Sequence, residues 1–222
     1  MKHDHTATAT EAADATDFFT EAFWDDRYGS ADMVWSGSPN PHLVTYASDL
    51  GAGTALDVGS GEGADAIWLA HRGWHVTGLD LSNVALRKAA ARAAQDSPET
   101  ARRITWKQVD LLAEEVTGSY DPVSAQFMHL PRPALRTVHR SLAAAVAPGG
   151  TLLIVGHHPV DHHVSREREA FPDILFTAEQ VAELLDPSEW HLIETFTHAR
   201  TQTDAEGASI AMHDAVLRAV RR

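Results

Sequence analysis

The 222-residue sequence contains no cysteine. This absence excludes a disulfide framework, a cysteine nucleophile and a thiolate metal site. No apolar run approaches the roughly 20 residues that a membrane-spanning helix needs, and the first residues lack the basic and then apolar pattern of a signal peptide. We therefore expect a cytoplasmic protein with no membrane partner.

Basic residues are scarce, because 18 lysines and arginines stand against 31 aspartates and glutamates, for a formal net charge of −13. Nucleic acids and anionic membranes are bound through a basic face, so neither is expected as a partner. A hydrophobic fraction of 44% and a charged fraction of 22% are typical of a globular protein. The length predicts one domain, alone or with short extra segments. The expected oligomeric state is a monomer or a homodimer.

A glycine-rich turn follows a short apolar run that extends from Ala55 to Val58, and apolar residues at helical spacing come after it. Such a strand, turn and helix form a cradle, because glycine lets the backbone approach a ligand and the start of the helix offers unpaired N–H groups. The residues predicted to bind a cofactor here are Asp57, Gly59, Ser60, Gly61, Glu62 and Gly63.

Two classes of cofactor are compatible with the glycine spacing. Gly59, Gly61 and Ala64 fit the dinucleotide fingerprint, which predicts an NAD(P)-dependent oxidoreductase. The carboxylates of Asp57 and Glu62, however, flank the turn, where they repel a pyrophosphate and attract a cation. The sequence therefore favours a cationic cofactor and keeps the oxidoreductase as the alternative.

Strand-like and helix-like segments alternate along the rest of the chain. Helices are predicted at 83–94 and 134–147, Pro98 is interpreted as a break, and a capping box at Thr177 opens a helix to Leu185. This order predicts a doubly wound, mostly parallel seven-stranded α/β sheet with a C-terminal antiparallel hairpin. The predicted strands are 55–58, 74–79, 104–109, 120–128, 151–155, 190–197 and 208–216.

Three regions are expected. Residues 1–16 contain almost no large apolar side chain and are predicted to be a disordered tail. Residues 17–53 are rich in aromatic residues and are predicted to form a helical extension, with a helix starting at Pro41, that covers the cofactor. Residues 54–222 are predicted to form the cofactor-binding domain. Trp35 is expected to stack on the cofactor or shield it, with packing against the sheet edge as the alternative.

The stretch from Asp57 to Gly63 resembles motif I of the class I methyltransferases that use S-adenosylmethionine (SAM). The ordered features after it also match, from the acids at 80 and 110 to the Pro-Gly-Gly turn at 148–150 and the terminal hairpin. The segments 23–28, 35–40 and 61–70 resemble the bacterial tellurite-resistance and thiopurine methyltransferase group. The resemblance implies a Rossmann-like fold, SAM as the cofactor and a small-molecule acceptor, often a soft nucleophile such as a thiol or a chalcogen oxyanion. An amine is a further expected acceptor.

Further cofactor contacts are expected at the ends of the later strands. Asp80 lies where an acid hydrogen-bonds ribose hydroxyls, and Ser82 is the better candidate for the cap of the next helix. The resemblance implies that Asp110 accepts a hydrogen bond from the adenine amino group and that Leu111 supplies a backbone N–H. Leu81, Gln126 and Met128 complete the predicted cofactor set.

Histidines at the strand ends are the candidate catalytic residues. His129 ends the predicted fourth strand, and His157 and His158 end the fifth, on the side of the sheet where ligands bind. An imidazole titrates near neutral pH and suits a general base, although a soft anionic nucleophile needs none. The histidines at 157, 158, 162 and 163 fit no zinc motif, so no metal is expected. A non-catalytic SAM-binding module is the remaining alternative.

Overall fold

The computed structural model describes residues 17–164, 169, 171–203 and 209–222. The segment 1–16, predicted to be a disordered tail, lies outside the described residues. So does the turn predicted at 204–207 between the last two strands.

Two α-helices precede the first strand, after a 3-10 turn at Asp17–Phe19. Helix α1 covers Glu21–Gly29 and helix α2 covers Pro41–Ala47. The side chain of Asn40 accepts a hydrogen bond from the His42 N–H, and the proline at the first helical position has no N–H to leave unpaired. The local sequence therefore fixes where α2 begins.

Within the described residues, seven strands form one sheet in the order β3-β2-β1-β4-β5-β7-β6. The first five strands are parallel, and β7 pairs antiparallel with both β5 and β6. The predicted doubly wound fold with a C-terminal hairpin is confirmed. The strands are β1 (Thr54–Val58), β2 (His75–Asp80), β3 (Ile104–Gln108), β4 (Val123–Gln126), β5 (Thr151–His157), β6 (Trp190–Thr203) and β7 (Ser209–Arg221).

Helices cover both faces of the sheet because the central strands are apolar on both sides. Along β5, Leu152 and Ile154 join one core cluster, while Leu153 and Val155 join the other, as the alternation of side chains along a strand requires. The remaining helices are α3 (Ala64–His71), α4 (Asn83–Asp96), α5 (Pro98–Arg103), α6 (Arg132–Ala144) and α7 (Ala178–Ala182). No helix in the described ranges combines the length and the apolar character needed to cross a bilayer.

Two sequence interpretations are corrected. Pro98 does not merely break the chain, because it opens α5 at a position that needs no N–H, with the Ser97 side chain accepting from the Thr100 N–H. Strand β4 is shorter than the predicted 120–128, since Phe127 has a φ of 53° and turns the chain out of the sheet. This turn places the residues after β4 at the edge where ligands bind.

Candidate active site

A cavity of about 800 Å³ opens at the C-terminal ends of the parallel strands, where ligands bind in doubly wound sheets. Its wall includes residues from the glycine turn, from the ends of β2, β4 and β5 and from the segment before α2. Most of the predicted site residues line it: Trp35, Asp57, Gly59, Ser60, Gly61, Glu62, Asp80, Leu81, Asp110, Leu111, Gln126, Met128, His129 and His157.

Gly63 and His158 do not line this cavity. At Gly63, where φ is 81°, a Cβ would lie 2.7 Å from Trp106 and 2.8 Å from Ala89, so the glycine permits close packing of the turn against β3 and α4. The His158 backbone N–H donates to the His213 carbonyl, and its Nδ1 accepts from the Val160 N–H. Both residues therefore lie outside the wall of this cavity, and their contacts with a ligand stay predictions.

Asp80 ends β2 and faces the glycine turn. Its Oδ2 accepts a hydrogen bond from the Gly61 N–H at 2.8 Å, and its Oδ1 accepts from the Ser82 N–H at 2.8 Å. Burial raises the pKa of this carboxyl group, and the backbone donors oppose that shift. Ser82, not Asp80, caps α4. The Leu81 N–H is a third backbone donor to this carboxylate, which still leaves a lone pair for a donor in the cavity.

Asp57, at the end of β1, is 2% exposed, and its Oδ2 has no hydrogen-bond partner among the described residues. Burial raises the pKa of this carboxyl group well above its usual value, and the nearby Asp65 carboxylate raises it further. Ser60 Oγ and Gln126 Oε1 also lack partners within the described part of the chain. Because unsatisfied buried acceptors are unfavourable, this end of the cavity fits a ligand with N–H and O–H donors and a positive charge.

The other end of the cradle is mainly apolar. Leu81, Leu111 and Leu112 line the cavity beside Asp110, whose Oδ1 accepts from the Leu112 N–H at 2.9 Å. The acid thus keeps one oxygen for a further donor. Trp35 lines the same cavity, but its indole N–H donates to the Tyr28 hydroxyl at 3.0 Å. Its stacking on a cofactor stays a prediction.

Residues 33–40, here called the strap, lie across the glycine turn. The Glu62 carboxylate accepts hydrogen bonds from the N–H groups of Val34 and Trp35, and Asp65 Oδ1 accepts from the Asn40 N–H at 2.6 Å. Lys88 forms an ion pair with Glu62 at 3.3 Å. The negative charge of Glu62 is thus partly offset by the strap N–H groups and by Lys88, and its attraction of a cationic cofactor stays a prediction.

Histidine and aromatic rings line the opposite side of the cavity. The His129 and His157 rings are stacked with centroids 5.5 Å apart, and the Phe127 ring lies 4.5 Å from His157. Phe18 from the N-terminal segment lies 6.2 Å from His129. The fold thus brings together the two histidines that end β4 and β5, and aromatic rings flank them on both sides.

Sequence reasoning missed the contribution of the hairpin. Arg200 of β6 lines the cavity, and its Nε donates to both carboxylate oxygens of Asp214 on β7, at 3.0 and 2.9 Å. Asp214 is 2% exposed and also contacts His42 Nε2 at 3.1 Å. No local motif identifies this pair, because it depends on the register of two strands. Within the described ranges, no group of three or more histidine, aspartate or glutamate side chains could hold a metal ion.

A family model described as a methyltransferase domain matches residues 55–150. The ubiquinone biosynthesis O-methyltransferase of Alkalilimnicola ehrlichii is 31% identical over 190 residues, which cover 82% of this chain and 68% of that protein.

Solved structures share the fold at lower identity. One, reported for the conversion of a disulfide bond into a thioacetal group during echinomycin biosynthesis, has a TM-score of 0.69 at 23% identity and covers 91% of each chain. TehB from Haemophilus influenzae has a TM-score of 0.65 at 19% identity, covering 91% of this chain and 67% of that chain. The relative at 31% identity and the methyltransferase-domain match together establish that this chain belongs to the class I SAM-dependent methyltransferases, with SAM as its cofactor.

Proposed function

We propose that this enzyme transfers the methyl group of SAM to a small-molecule acceptor by in-line displacement, with the acceptor held beside the His129–His157 pair. The observation that supports the proposal is that one cavity of about 800 Å³ contains both the glycine cradle and the two histidine rings. This volume lies in the range of small-molecule sites. Membership of the methyltransferase family removes the oxidoreductase alternative.

The proposed cofactor contacts follow from the donors and acceptors in the cavity. SAM supplies an activated methyl group on a sulfonium. Asp80 is proposed to accept from the ribose hydroxyls, while Asp110 and the backbone of Leu111 hold the adenine. Asp57 and Gln126 offer oxygen atoms that lack partners among the described residues, and these are proposed to accept from the ammonium group. The buried negative charge of Asp57 is then compensated.

His129 and His157 are proposed to bind the acceptor and to remove its proton. An imidazole near neutral pH accepts a proton from a hydroxyl or a thiol as the nucleophile attacks. For an acceptor that is already anionic, the same rings only align the nucleophile with the methyl carbon. Positioning of this kind can supply up to roughly 7–11 kcal/mol of barrier reduction.

Two classes of acceptor atom have support, one from a relative and one from the sequence motifs. The curated relative is named as an O-methyltransferase, which supports a hydroxyl oxygen. The motif resemblance to the tellurite-resistance and thiopurine group supports a soft nucleophile such as a thiol or a chalcogen oxyanion. An amine remains a third class within the proposal.

Isothermal titration with SAM, S-adenosylhomocysteine and NADH tests the cofactor site. We expect micromolar affinity for the first two ligands and no binding of NADH. A screen of phenols, thiols, amines and chalcogen oxyanions with the SAM-loaded enzyme then tests the reaction. Binding of SAM without methylation of any acceptor class would contradict the proposed small-molecule transfer.

A further inference from the structure

The guanidinium of Arg200 has hydrogen-bonding capacity left at the cavity wall. Its Nε donates to Asp214, and its Nη1 donates to Gln202 Oε1 at 3.2 Å. A guanidinium has five N–H bonds, and the described residues accept two of them. The remaining three belong to Nη1 and Nη2, whose shared edge matches the two oxygens of a carboxylate.

Charge is distributed unevenly along the cavity. Asp57, Asp80 and Asp110 lie at the cofactor end, and two arginines occur among its described lining residues. Arg92 donates from Nη1 to the Glu62 carbonyl and from Nη2 to the Gly37 carbonyl, so its role is to hold the strap. Of the two arginines among the described lining residues, Arg200 is therefore the one that can bind an anionic group of a ligand.

Arg200 lies on the acceptor side. Its Cζ is 5.9 Å from the centroid of the Phe127 ring, and that ring is 4.5 Å from His157. His157 in turn stacks on His129. The guanidinium thus stands at one end of a continuous row of rings that includes the two proposed catalytic histidines.

Aromatic residues occupy the far end of this row. The buried Phe18 ring lies 6.2 Å from His129 and packs behind Phe19 and Trp24, at 5.2 and 5.5 Å, and these two residues line the cavity. A ligand that spans the row therefore meets a cation at one end and the apolar rings of Phe19 and Trp24 at the other. The reacting group then lies between them, beside the histidines.

We propose that the acceptor carries a carboxylate group on an apolar or aromatic body, and that Arg200 binds this carboxylate. The inference rests on the proposed function, because it assigns the substrate class of the same site. Asp214 is a positioning residue: it is buried, it accepts from Nε through both oxygens, and it directs the Nη edge away from itself. Since Asp214 also contacts His42 of α2, the N-terminal segment supports the same arrangement.

Binding of simple probes tests the inference without turnover. Sodium benzoate and neutral, nearly isosteric benzamide are titrated into the protein saturated with S-adenosylhomocysteine. We expect wild type to bind benzoate roughly tenfold or more tightly than benzamide, as the charge-assisted contact requires. Equal affinities would overturn the proposal.

Arg200→Gln is expected to remove the preference for benzoate and to leave the affinity for SAM within about twofold. Arg200→Lys keeps the positive charge but loses the paired N–H donors of the guanidinium, so it should retain only part of the preference for benzoate over benzamide. The Lys variant decides the question if the Gln variant does not fold. The matched control is Arg218→Gln. Arg218 lies in the same hairpin and pairs with Glu194 at 3.1 Å, but it is not among the described residues that line the cavity. This variant should keep the wild-type preference for benzoate.

Asp214→Asn tests the positioning role. The amide keeps the shape and leaves Arg200 charged, so we expect the preference for benzoate to fall several-fold while benzamide and SAM bind as before. An unchanged preference would remove Asp214 from this role.

Failure of this inference and failure of the proposed function give different results. If wild type binds neither SAM nor S-adenosylhomocysteine, the proposed function fails. If both bind but benzoate shows no advantage, only the carboxylate assignment fails. A loss of SAM affinity in Arg200→Gln would also overturn it, because the arginine would then hold the carboxylate of the cofactor.

Discussion

The carboxylate of Glu62 accepts the backbone N–H of Val34 at both oxygens, at 3.1 Å to Oε1 and 3.0 Å to Oε2. Glu62 belongs to the glycine turn and Val34 to the strap, so these two segments are joined directly. The Trp35 N–H and Lys88 bind the same carboxylate. The strap therefore forms part of the cavity wall although it precedes the first strand.

Glu62→Gln is expected to weaken SAM binding roughly tenfold and to lower the free energy of unfolding by about 2 kcal/mol. The amide presents one oxygen and an NH₂ group to a cluster of N–H donors, and Lys88 loses its charged partner. Isothermal titration and urea denaturation measure the two effects.

The matched control for this prediction is Glu99→Gln. Glu99 is 69% exposed and pairs with Arg103 at 2.8 Å on α5, so its loss should leave the stability close to that of wild type. SAM binding should not change. If Glu62→Gln bound SAM as tightly as wild type, the strap would have no part in holding the cofactor.

Asp80→Ala is expected to weaken SAM binding by at least several-fold, since it removes the proposed acceptor for the ribose hydroxyls. The Gly61 and Ser82 N–H groups lose the same acceptor, so thermal unfolding is recorded alongside titration. Asp25→Ala is the control, because Asp25 also contacts Ser82 but does not line the cavity within the described residues. Equal losses of SAM affinity in the two variants would assign the effect to local structure.

His129→Ala and His157→Ala are expected to lower kcat for a hydroxyl acceptor by about 100-fold, the lower range for general-base catalysis, with SAM affinity nearly unchanged. For a thiol acceptor assayed above its own pKa, the loss should be smaller because no proton has to be removed. His158→Ala is the internal control, since its ring lies outside the described lining of the cavity. Full activity in both of the first two variants would leave those histidines without a catalytic role.

Local sequence signals predicted most of the residues that line the cavity near the glycine turn. A strand, a glycine turn and a helix are adjacent in the chain, so their pattern also places Asp57 and Gly61. Asp80 could be predicted because the parallel crossover brings the end of β2 beside the glycine turn. These placements follow from the short sequence distances within the turn and from the topology of the parallel strands.

The acceptor side could not be predicted in the same way. Arg200 and Asp214 meet through the register of a long hairpin, in which His198 pairs with Asp214, and a one-residue shift would turn them to opposite faces. The sequence also does not show which neighbour a residue of the turn faces. A glycine of the turn such as Gly63 gives the same sequence pattern whether it faces a ligand or, as here, the Trp106 ring.

His139 of α6 gives the protein a predictable sensitivity to acid. Its side chain is 3% exposed, and burial lowers the pKa of the imidazole from 6.5 to about 4. Between these values the unfolded chain binds a proton that the folded chain does not. Stability is therefore fully retained above about pH 6.5 and falls as the pH decreases towards 4.

His139→Leu is expected to remove this sensitivity, because the new side chain fills the site beside Phe176 without a titratable group. From pH 7 to pH 5, wild type should lose about 2 kcal/mol more unfolding free energy than the variant. Urea denaturation at both pH values measures the difference. Asp65, whose pKa burial raises to about 6, acts in the opposite direction but is present in both proteins, so the comparison isolates His139. Parallel losses in wild type and variant would show that His139 is protonated in the folded protein.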